Sequence, residues 1–253
     1  MYNECMKKGK CLLIEKLLGE GWVADEKEAL AFVMAGKVLV DDCPAASIKE
    51  KVAADSVIRL RGKNNTRYVT RAGEKLAKGL NGFGVSVAGK TCLDIGAAEG
   101  GFTDCLLQSG AAKVYAVDVA YGIFDWRLRN HEAVVLLERM NARYLCEEQI
   151  PEPVDLLVSD VSFISLRKIL PAAVKLLRPD GAFIILFKPQ FELKQEYLGK
   201  NGNAINHDYI MEGMRDFAVF AESHGIYVRD SMESPLRGNH GNVEYLLYGD
   251  IKR

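Results

Sequence analysis

The chain has 253 residues, of which 49% are hydrophobic and 26% are charged, and its formal net charge is -1. This composition is ordinary for a globular protein, and the near-zero charge excludes a global basic field, so nucleic-acid binding would need a local patch. No apolar run, that from Ala182 to Phe187 included, is long enough to span a bilayer, and no signal peptide is recognisable. We therefore expect a cytoplasmic protein that does not act at a membrane.

The six cysteines and four histidines predict neither a metal centre nor a disulfide framework. No two cysteines form a C-x-x-C pair, and the histidines have neither triad nor metal-ligand spacing. We expect reduced thiols, as is usual in the cytosol, and no metal cofactor. The sequence carries no signal for an oligomeric state.

Residues 1–62 predict a compact α+β module. Apolar residues recur at helical spacing in two stretches, and short β-branched runs follow them. Asp25 precedes the second stretch as a predicted helix N-cap, with Glu28 three residues later as its capping-box partner. The predicted order is helix, helix, strand, strand, over residues 12–18, 25–36, 37–40 and 56–60.

This module resembles the αL RNA-binding domain of certain ribosomal proteins, pseudouridine synthases and tyrosyl-tRNA synthetases. The resemblance rests on Leu12-Leu13-Ile14, Gly21, the run from Ala29 to Gly36, and Val38-Leu39-Val40. The module holds ten Lys and Arg against ten Asp and Glu, so acids replace much of the basic surface that such domains present to RNA. We expect it to bind RNA weakly alone, with Lys10 as one contact, or to be a docking or vestigial module.

Residues 63–70 are polar and turn-rich, which predicts a linker between two domains. Residues 63–80 hold five Lys and Arg against one Glu, the most basic segment of the chain. Such a run is usually a solvated helix face, but its place before the second domain also suits contact with RNA phosphates. Lys63, Arg67 and Arg71 are the candidate RNA contacts.

In residues 71–253 apolar strands alternate with helices, which predicts a Rossmann-like α/β domain with a mostly parallel seven-stranded sheet covered on both faces. Within residues 91–103, a strand ends in Asp94 and runs into Gly96, Gly100 and Gly101. The spacing differs from the dinucleotide pattern G-x-G-x-x-G and resembles the S-adenosylmethionine loop of class I methyltransferases. A tight turn with no ligand is the structural alternative.

Polar residues follow the predicted strands at their carboxyl ends, where open α/β sheets bind ligands. They are Asp94, Asp118, Asp160 and Lys188. Asp118 lies 22 residues beyond Gly96, where a nucleotide-binding fold places a carboxylate for ribose hydroxyls. Asn141, after the third strand, either reads an adenine edge or caps its own loop.

From Tyr68 onward the chain resembles the TlyA-type ribosomal RNA 2′-O-methyltransferases, also called hemolysin A proteins, which have an FtsJ-like catalytic domain. The motifs that carry the resemblance are Arg71-Ala72-Gly73-Glu74-Lys75-Leu76, Leu93 to Asp104, Tyr115-Ala116-Val117-Asp118-Val119, Asp160-Val161-Ser162-Phe163-Ile164-Ser165, Lys188-Pro189-Gln190-Phe191-Glu192 and Gly241-Asn242-Val243-Glu244. The resemblance implies S-adenosylmethionine as cofactor, and ribosomal RNA or a ribosomal subunit as partner, methylated at a cytidine ribose. It also implies a catalytic tetrad of Lys75, Asp160, Lys188 and Glu244.

The resemblance further implies a set of cofactor contacts in the glycine loop, after the next two strands and at the tetrad. They are Asp94, Gly96, Ala97, Gly100, Gly101, Phe102, Asp118, Val119, Asn141 and Asp160. Where the family usually has Ser-Thr, this chain has Ala98-Glu99. The Glu99 carboxylate would either repel the carboxylate of the cofactor or face solvent beside its ammonium group.

The chemistry of 2′-O-methylation explains these residue types. A ribose hydroxyl becomes a good nucleophile only as its proton leaves, so a positioned base or cation is needed. Lys188 would take the proton or stabilise the developing alkoxide. Lys75 would favour the neutral form of Lys188, whereas the two acids would hold both ammonium groups in place.

Three other functions are compatible with parts of the sequence. A non-enzymatic RNA- or ribosome-binding protein is suggested by Ala98-Glu99 and by the acidic first module. A membrane-active hemolysin is suggested by the family's second name, but the chain shows no amphipathic cationic helix or spanning segment. A nicotinamide-dependent oxidoreductase is disfavoured by the spacing of the glycines.

Overall fold

The computed structural model describes residues 9–251 apart from residues 21, 24, 42, 55, 57, 61–66, 201, 239 and 240. The chain divides into two compact units, residues 1–65 and residues 66–253. The candidate RNA contact Lys63 and part of the predicted linker 63–70 lie outside the described residues. Each unit is treated by itself below.

In its described residues, the first unit combines two helices and five short strands around one apolar core. Asp25 Oδ1 accepts the Glu28 backbone N–H at 2.7 Å, which confirms the predicted N-cap of the second helix. One antiparallel sheet has the order β3-β2-β5, and β1 pairs separately with β4. The elements are β1 (Lys10–Leu12), α1 (Leu13–Gly19), α2 (Glu26–Met34), β2 (Val38–Val40), β3 (Cys43–Pro44), β4 (Lys51–Ala53) and β5 (Ile58–Leu60).

The second unit is built on a seven-stranded sheet with helices on both faces. Its order is β11-β12-β10-β9-β6-β7-β8, and only β12 runs antiparallel to its neighbours. The mostly parallel sheet predicted from the sequence is therefore confirmed. The elements are α3 (Ala72–Gly82), β6 (Thr91–Ile95), α4 (Gly101–Gln108), β7 (Lys113–Val117), α5 (Trp126–Arg129), β8 (Val134–Leu137), β9 (Val154–Ser159), α6 (Leu170–Ala173), β10 (Leu177–Phe187), α7 (Pro189–Glu192), α8 (His207–Glu222), β11 (Ile226–Glu233) and β12 (Tyr245–Ile251).

The strand β10 shows how the sheet forms a core on each face. Alternate side chains of a strand point to opposite faces, so Phe183 and Phe187 join the cluster around Phe217 of α8. Ile184 joins the cluster around Leu76 of α3 on the other face. Because both faces are covered, the strand reads as a continuous apolar run in the sequence. The polar residues after the parallel strands then meet at one edge of the sheet.

Candidate active site

The tetrad forms a continuous chain of ion pairs at the carboxyl edge of the sheet. Lys75 of α3 places Nζ 2.6 Å from Glu244 Oε2 and 3.6 Å from Asp160 Oδ2. Lys188, which follows β10, places Nζ 2.6 Å from Asp160 Oδ1. The side chains are only 3% to 13% exposed. The structure thus brings together the four residues that the sequence predicted as catalytic.

Glu244 reaches this edge because β12 is antiparallel. Tyr245, the first residue of β12, pairs with Phe187, the last residue of β10. The residue before one strand therefore lies beside the residue after the other, and Glu244 comes close to the pair formed by Lys188 and Asp160. Since nearly buried charges are stable only when paired, removing either acid would leave an uncompensated lysine.

The glycine loop, residues 96–101, packs directly against the tetrad. Gly96 has φ +84°, and a Cβ there would lie 2.9 Å from the carbonyl oxygen of Asp160. The Gly96 and Ala97 N–H groups both donate to Val117 O, at 2.9 and 3.1 Å. Gly100, with φ +101°, is the N-cap residue of α4. Glycine is needed at position 96 for both its left-handed backbone and its close contact with Asp160.

Asp94 is the most unusual carboxyl group of the site because it is completely buried. Its Oδ2 accepts a hydrogen bond from Thr103 Oγ1 at 2.6 Å, whereas Oδ1 has no partner within the described part of the chain. Burial raises the pKa of Asp94 to about 7; the Thr103 bond opposes this increase, and the nearby Asp160 charge adds to it. An unsatisfied buried acceptor is costly, so Oδ1 is suited to a donor on a ligand.

Asp118, after β7, joins the glycine loop to the following loop. Its Oδ2 accepts the Ala98 N–H at 2.8 Å and its Oδ1 accepts the Ala120 N–H at 2.7 Å. Each carboxylate oxygen keeps a further lone pair for a hydroxyl donor. The neighbouring Val119 is 68% exposed and offers an apolar surface beside this carboxylate.

The other predicted cofactor contacts are less accessible through their side chains. Phe102 and Ala97 are buried in apolar clusters, so only their main chains are available to a ligand. Asn141 Oδ1 accepts the Arg143 N–H at 3.1 Å and caps the short 3₁₀ turn of residues 142–144. Of its two predicted roles, the structure contains the capping contact. Glu99 is exposed, which favours the solvent-facing alternative.

These residues fit S-adenosylmethionine. The cofactor carries an ammonium group, two ribose hydroxyls and a sulfonium cation, which match a buried lone acceptor, a second carboxylate and an acid-lined edge. The glycine loop lets the main chain approach such a ligand closely. No group of His, Cys, Asp and Glu in the described residues is arranged to hold a metal ion.

Residues 68–251 match the FtsJ-like methyltransferase family. The chain belongs to this family. It is 40% identical over 235 residues to the 16S/23S rRNA (cytidine-2'-O)-methyltransferase TlyA of Mycobacterium tuberculosis, covering 92% of this chain and 87% of that protein.

Two solved structures identify the fold. A candidate hemolysin of Streptococcus thermophilus matches with a TM-score of 0.74 and 35% identity, over 96% of this chain and 89% of that one. A candidate S-adenosylmethionine-dependent methyltransferase of Listeria monocytogenes matches with a TM-score of 0.53 and 18% identity, over 72% of this chain and 99% of that one. The predicted class I methyltransferase fold is therefore confirmed.

Two residues of the edge were not singled out from the sequence. Ser162 Oγ accepts a hydrogen bond from Lys188 Nζ at 2.8 Å. Phe163 is 89% exposed, has φ +63°, and places its ring 5.5 Å from that of Phe191. A large side chain in a left-handed backbone is strained by about 1 kcal/mol or more, and such strain is concentrated at functional sites. The available signal was the place of both residues in the motif from Asp160 to Ser165, which begins directly after β9.

The predicted RNA contacts that the structure describes are all exposed. Lys10 lies on β1 of the first unit. In the second unit, Arg71 precedes α3, and Arg67 Nε donates to Gln108 Oε1 at 3.2 Å. Exposure leaves each cation accessible to phosphate, and their role in RNA binding stays a prediction.

Proposed function

We propose that this protein transfers a methyl group from S-adenosylmethionine to a cytidine 2′-hydroxyl of ribosomal RNA. The observation that carries the proposal is the chain of ion pairs through the tetrad, packed against a glycine loop and a buried carboxyl with a lone acceptor. The name of the Mycobacterium tuberculosis relative supports ribosomal RNA and cytidine as the substrate.

The cofactor side of the site is provided by β6, β7 and the loops that follow them. When bound, S-adenosylmethionine supplies a methyl group that its sulfonium already activates. Asp94 Oδ1 would accept a hydrogen bond from its ammonium group, and Asp118 would accept from its ribose hydroxyls. The N–H groups at the start of α4 and the glycine loop hold the rest of the ligand through the main chain.

The tetrad acts on the RNA. Lys188 Nζ contacts the ribose 2′-oxygen, and takes its proton or stabilises the negative charge that develops on it. Asp160 holds Lys188 and Lys75 together, and Glu244 holds Lys75 from the other side. Because the methyl group is activated in advance, much of the rate comes from holding the hydroxyl in line with it.

Cations of both domains contact RNA. The first domain, residues 1–62, contributes Lys10, and the linker 63–70 with the start of the catalytic domain 71–253 contributes Lys63, Arg67 and Arg71. Cations of this kind neutralise phosphates without reading sequence. Phe163, exposed three residues beyond Asp160, offers a face on which an unpaired base can stack.

Methyl transfer from labelled cofactor to ribosomal RNA and to ribosomal subunits tests the proposal. Lys188→Ala should reduce transfer by about 100-fold or more, because it removes the group that acts on the hydroxyl proton. The matched control is Lys113→Ala, which breaks a partly exposed 2.7 Å ion pair with Glu152 and lies at the start of β7, away from the tetrad. The proposal is wrong if the wild-type protein modifies no ribosomal substrate, or if both variants transfer methyl equally well.

A second candidate is an RNA- or ribosome-binding protein with little catalysis, favoured by Ala98-Glu99 in the glycine loop. Calorimetry that detects no cofactor binding, together with retained binding to ribosomal RNA, would select it. The hemolysin name of the Streptococcus thermophilus structure suggests lysis of membranes, and a liposome-leakage assay tests that activity for this chain. No helix within the described ranges has the length and apolar character that crossing a membrane requires.

A further inference from the structure

The two lysines of the tetrad are held differently. Lys75 Nζ lies 2.6 Å from the Glu244 carboxylate and 3.6 Å from the Asp160 carboxylate. Lys188 Nζ lies 2.6 Å from Asp160 Oδ1, and its second contact is the neutral hydroxyl of Ser162 at 2.8 Å. Lys188 is thus balanced by less negative charge than Lys75. More of its positive charge is available to an oxygen on which negative charge develops.

We propose that Ser162 is a positioning residue for methyl transfer, which acts by fixing the direction of the Lys188 ammonium group. A lysine ammonium has three N–H donors that rotate together about the Cε–Nζ bond. A single acceptor leaves that rotation partly free, whereas Asp160 and Ser162 together stop it. The direction of the third N–H is then set, and it is the one that meets the ribose oxygen. This inference rests on the function proposed above.

The loop that carries Ser162 is itself anchored at both ends to the segment that carries Lys188. Near its start, Asp160 and Ser162 hold Lys188. At its end, Glu192 accepts the Ser165 hydroxyl at 2.7 Å and the Leu166 N–H at 2.6 Å. Lys188 directly precedes the single turn of α7 and Glu192 is its last residue, so the loop and this segment are held together at two points. The contacts at Glu192 hold the loop rather than Lys188 itself, and the Leu166 N–H still binds Glu192 when the Ser165 hydroxyl is removed.

The backbone around Ser162 gives a further reason to regard this placement as functional. The next residue, Phe163, has a left-handed backbone with φ +63° although it is not glycine. Strain of this size persists only where the surrounding contacts enforce it. The contacts from Lys188 to Ser162 and from Ser165 to Glu192 lie on either side of the strained residue.

Two substitutions of the same kind separate positioning from loop stability. Ser162→Ala removes the hydroxyl that faces Lys188, and Ser165→Ala removes a hydroxyl of the same loop that faces Glu192 instead. Ser162→Thr restores a hydroxyl at the first position. Steady-state kinetics with ribosomal RNA and calorimetry with S-adenosylmethionine are measured for all three.

We expect Ser162→Ala to lower kcat by about 10-fold to 100-fold, the effect of one hydrogen bond to a charged group, with the RNA KM and the cofactor Kd within about threefold of wild type. Ser162→Thr should recover most of this loss, and Ser165→Ala should remain close to wild type. The inference is overturned if Ser162→Ala keeps its kcat within about twofold of wild type, if Ser162→Thr recovers nothing, or if Ser165→Ala falls as far.

Labelling of Lys188 by an amine-reactive reagent, followed by mass spectrometry, tests the contact without using activity. Lys188 is 8% exposed, and loss of its second acceptor should let it turn outward and be labelled several-fold faster in Ser162→Ala than in Ser165→Ala. If the wild-type protein transfers no methyl group, the proposed function fails, and this labelling still decides whether Ser162 holds Lys188. Equal labelling rates in the two variants would exclude that contact.

Discussion

Asp94→Asn should stabilise the protein and abolish cofactor binding at the same time. Asp94 is fully buried, and burial raises its pKa from the ordinary 3.8 to about 7. The group is therefore ionised in the unfolded chain over a pH range in which it is still protonated in the folded protein. Across that range the unfolded state binds fewer protons, so the free energy of unfolding falls as the pH rises.

The size of this effect follows from the two pKa values. The contribution of protonated Asp94 to the free energy of unfolding is fully present below pH 3.8 and is lost as the pH rises through about 7. At about 1.4 kcal/mol per pKa unit, the loss reaches about 4 kcal/mol. Asparagine does not ionise, so the variant avoids this loss of stability. Any cost of a poorly bonded amide in the same position is independent of pH and does not change the slope.

Urea unfolding of both proteins at several pH values from 5 to 8, without cofactor, measures the difference. The stability of Asp94→Asn relative to wild type should rise by about 1.4 kcal/mol per pH unit up to about pH 7 and then level off. Asp180→Asn is the matched control, since the Asp180 side chain is 86% exposed and should give a flat difference. Calorimetry should detect no cofactor binding to Asp94→Asn. A pH-independent difference, or unchanged cofactor affinity, would refute the reasoning.

Three further predictions concern the loops of the site. Gly96→Ala should lower the free energy of unfolding by about 1–3 kcal/mol, because φ is +84° and the new Cβ would lie 2.9 Å from a carbonyl oxygen. Thermal unfolding measures this loss, and an unchanged Tm would contradict the prediction. Phe163→Gly should raise the free energy of unfolding by up to about 1 kcal/mol, because glycine relieves the backbone strain. It should weaken RNA binding several-fold in a filter assay, because the exposed ring is lost; tighter or equal RNA binding would count against stacking. Glu99→Gln should leave the cofactor Kd within about threefold, since an exposed charge contributes little, and a larger calorimetric change would show that Glu99 faces the ligand.

Much of the site follows from one rule applied to the sequence. Asp94 is the last residue but one of β6, Asp118, Asp160 and Lys188 each come directly after an apolar strand, and parallel strands end at the same edge. Glu244 is different, because it precedes a strand. Hydrophobic periodicity does not distinguish a parallel strand from an antiparallel one, so only the family resemblance indicated its place. The antiparallel direction of β12 supplies the physical reason.

Other features depend on packing that no local pattern encodes. The lone oxygen of Asp94 results from the depth of β6 and from the single hydroxyl that Thr103 can offer. The exposed ring of Phe163 depends on a left-handed backbone angle at a residue type that rarely adopts it. In the first unit, β1, β3 and β4 have only two or three residues each, too few to show a period.

The electrostatics of the two halves of the site are complementary. On the cofactor side, Asp94 and Asp118 are bonded to neutral donors, a hydroxyl and backbone N–H groups, so no cation of the protein competes with a cationic ligand for their hydrogen-bonded oxygens. In the tetrad, two acids balance two lysines. Unbalanced lysines would repel a sulfonium, and unbalanced acids would repel the phosphates of RNA. A neutral tetrad avoids both, and it still presents the one positive group, Lys188, that is balanced in part by a hydroxyl and so remains able to stabilise the ribose oxygen.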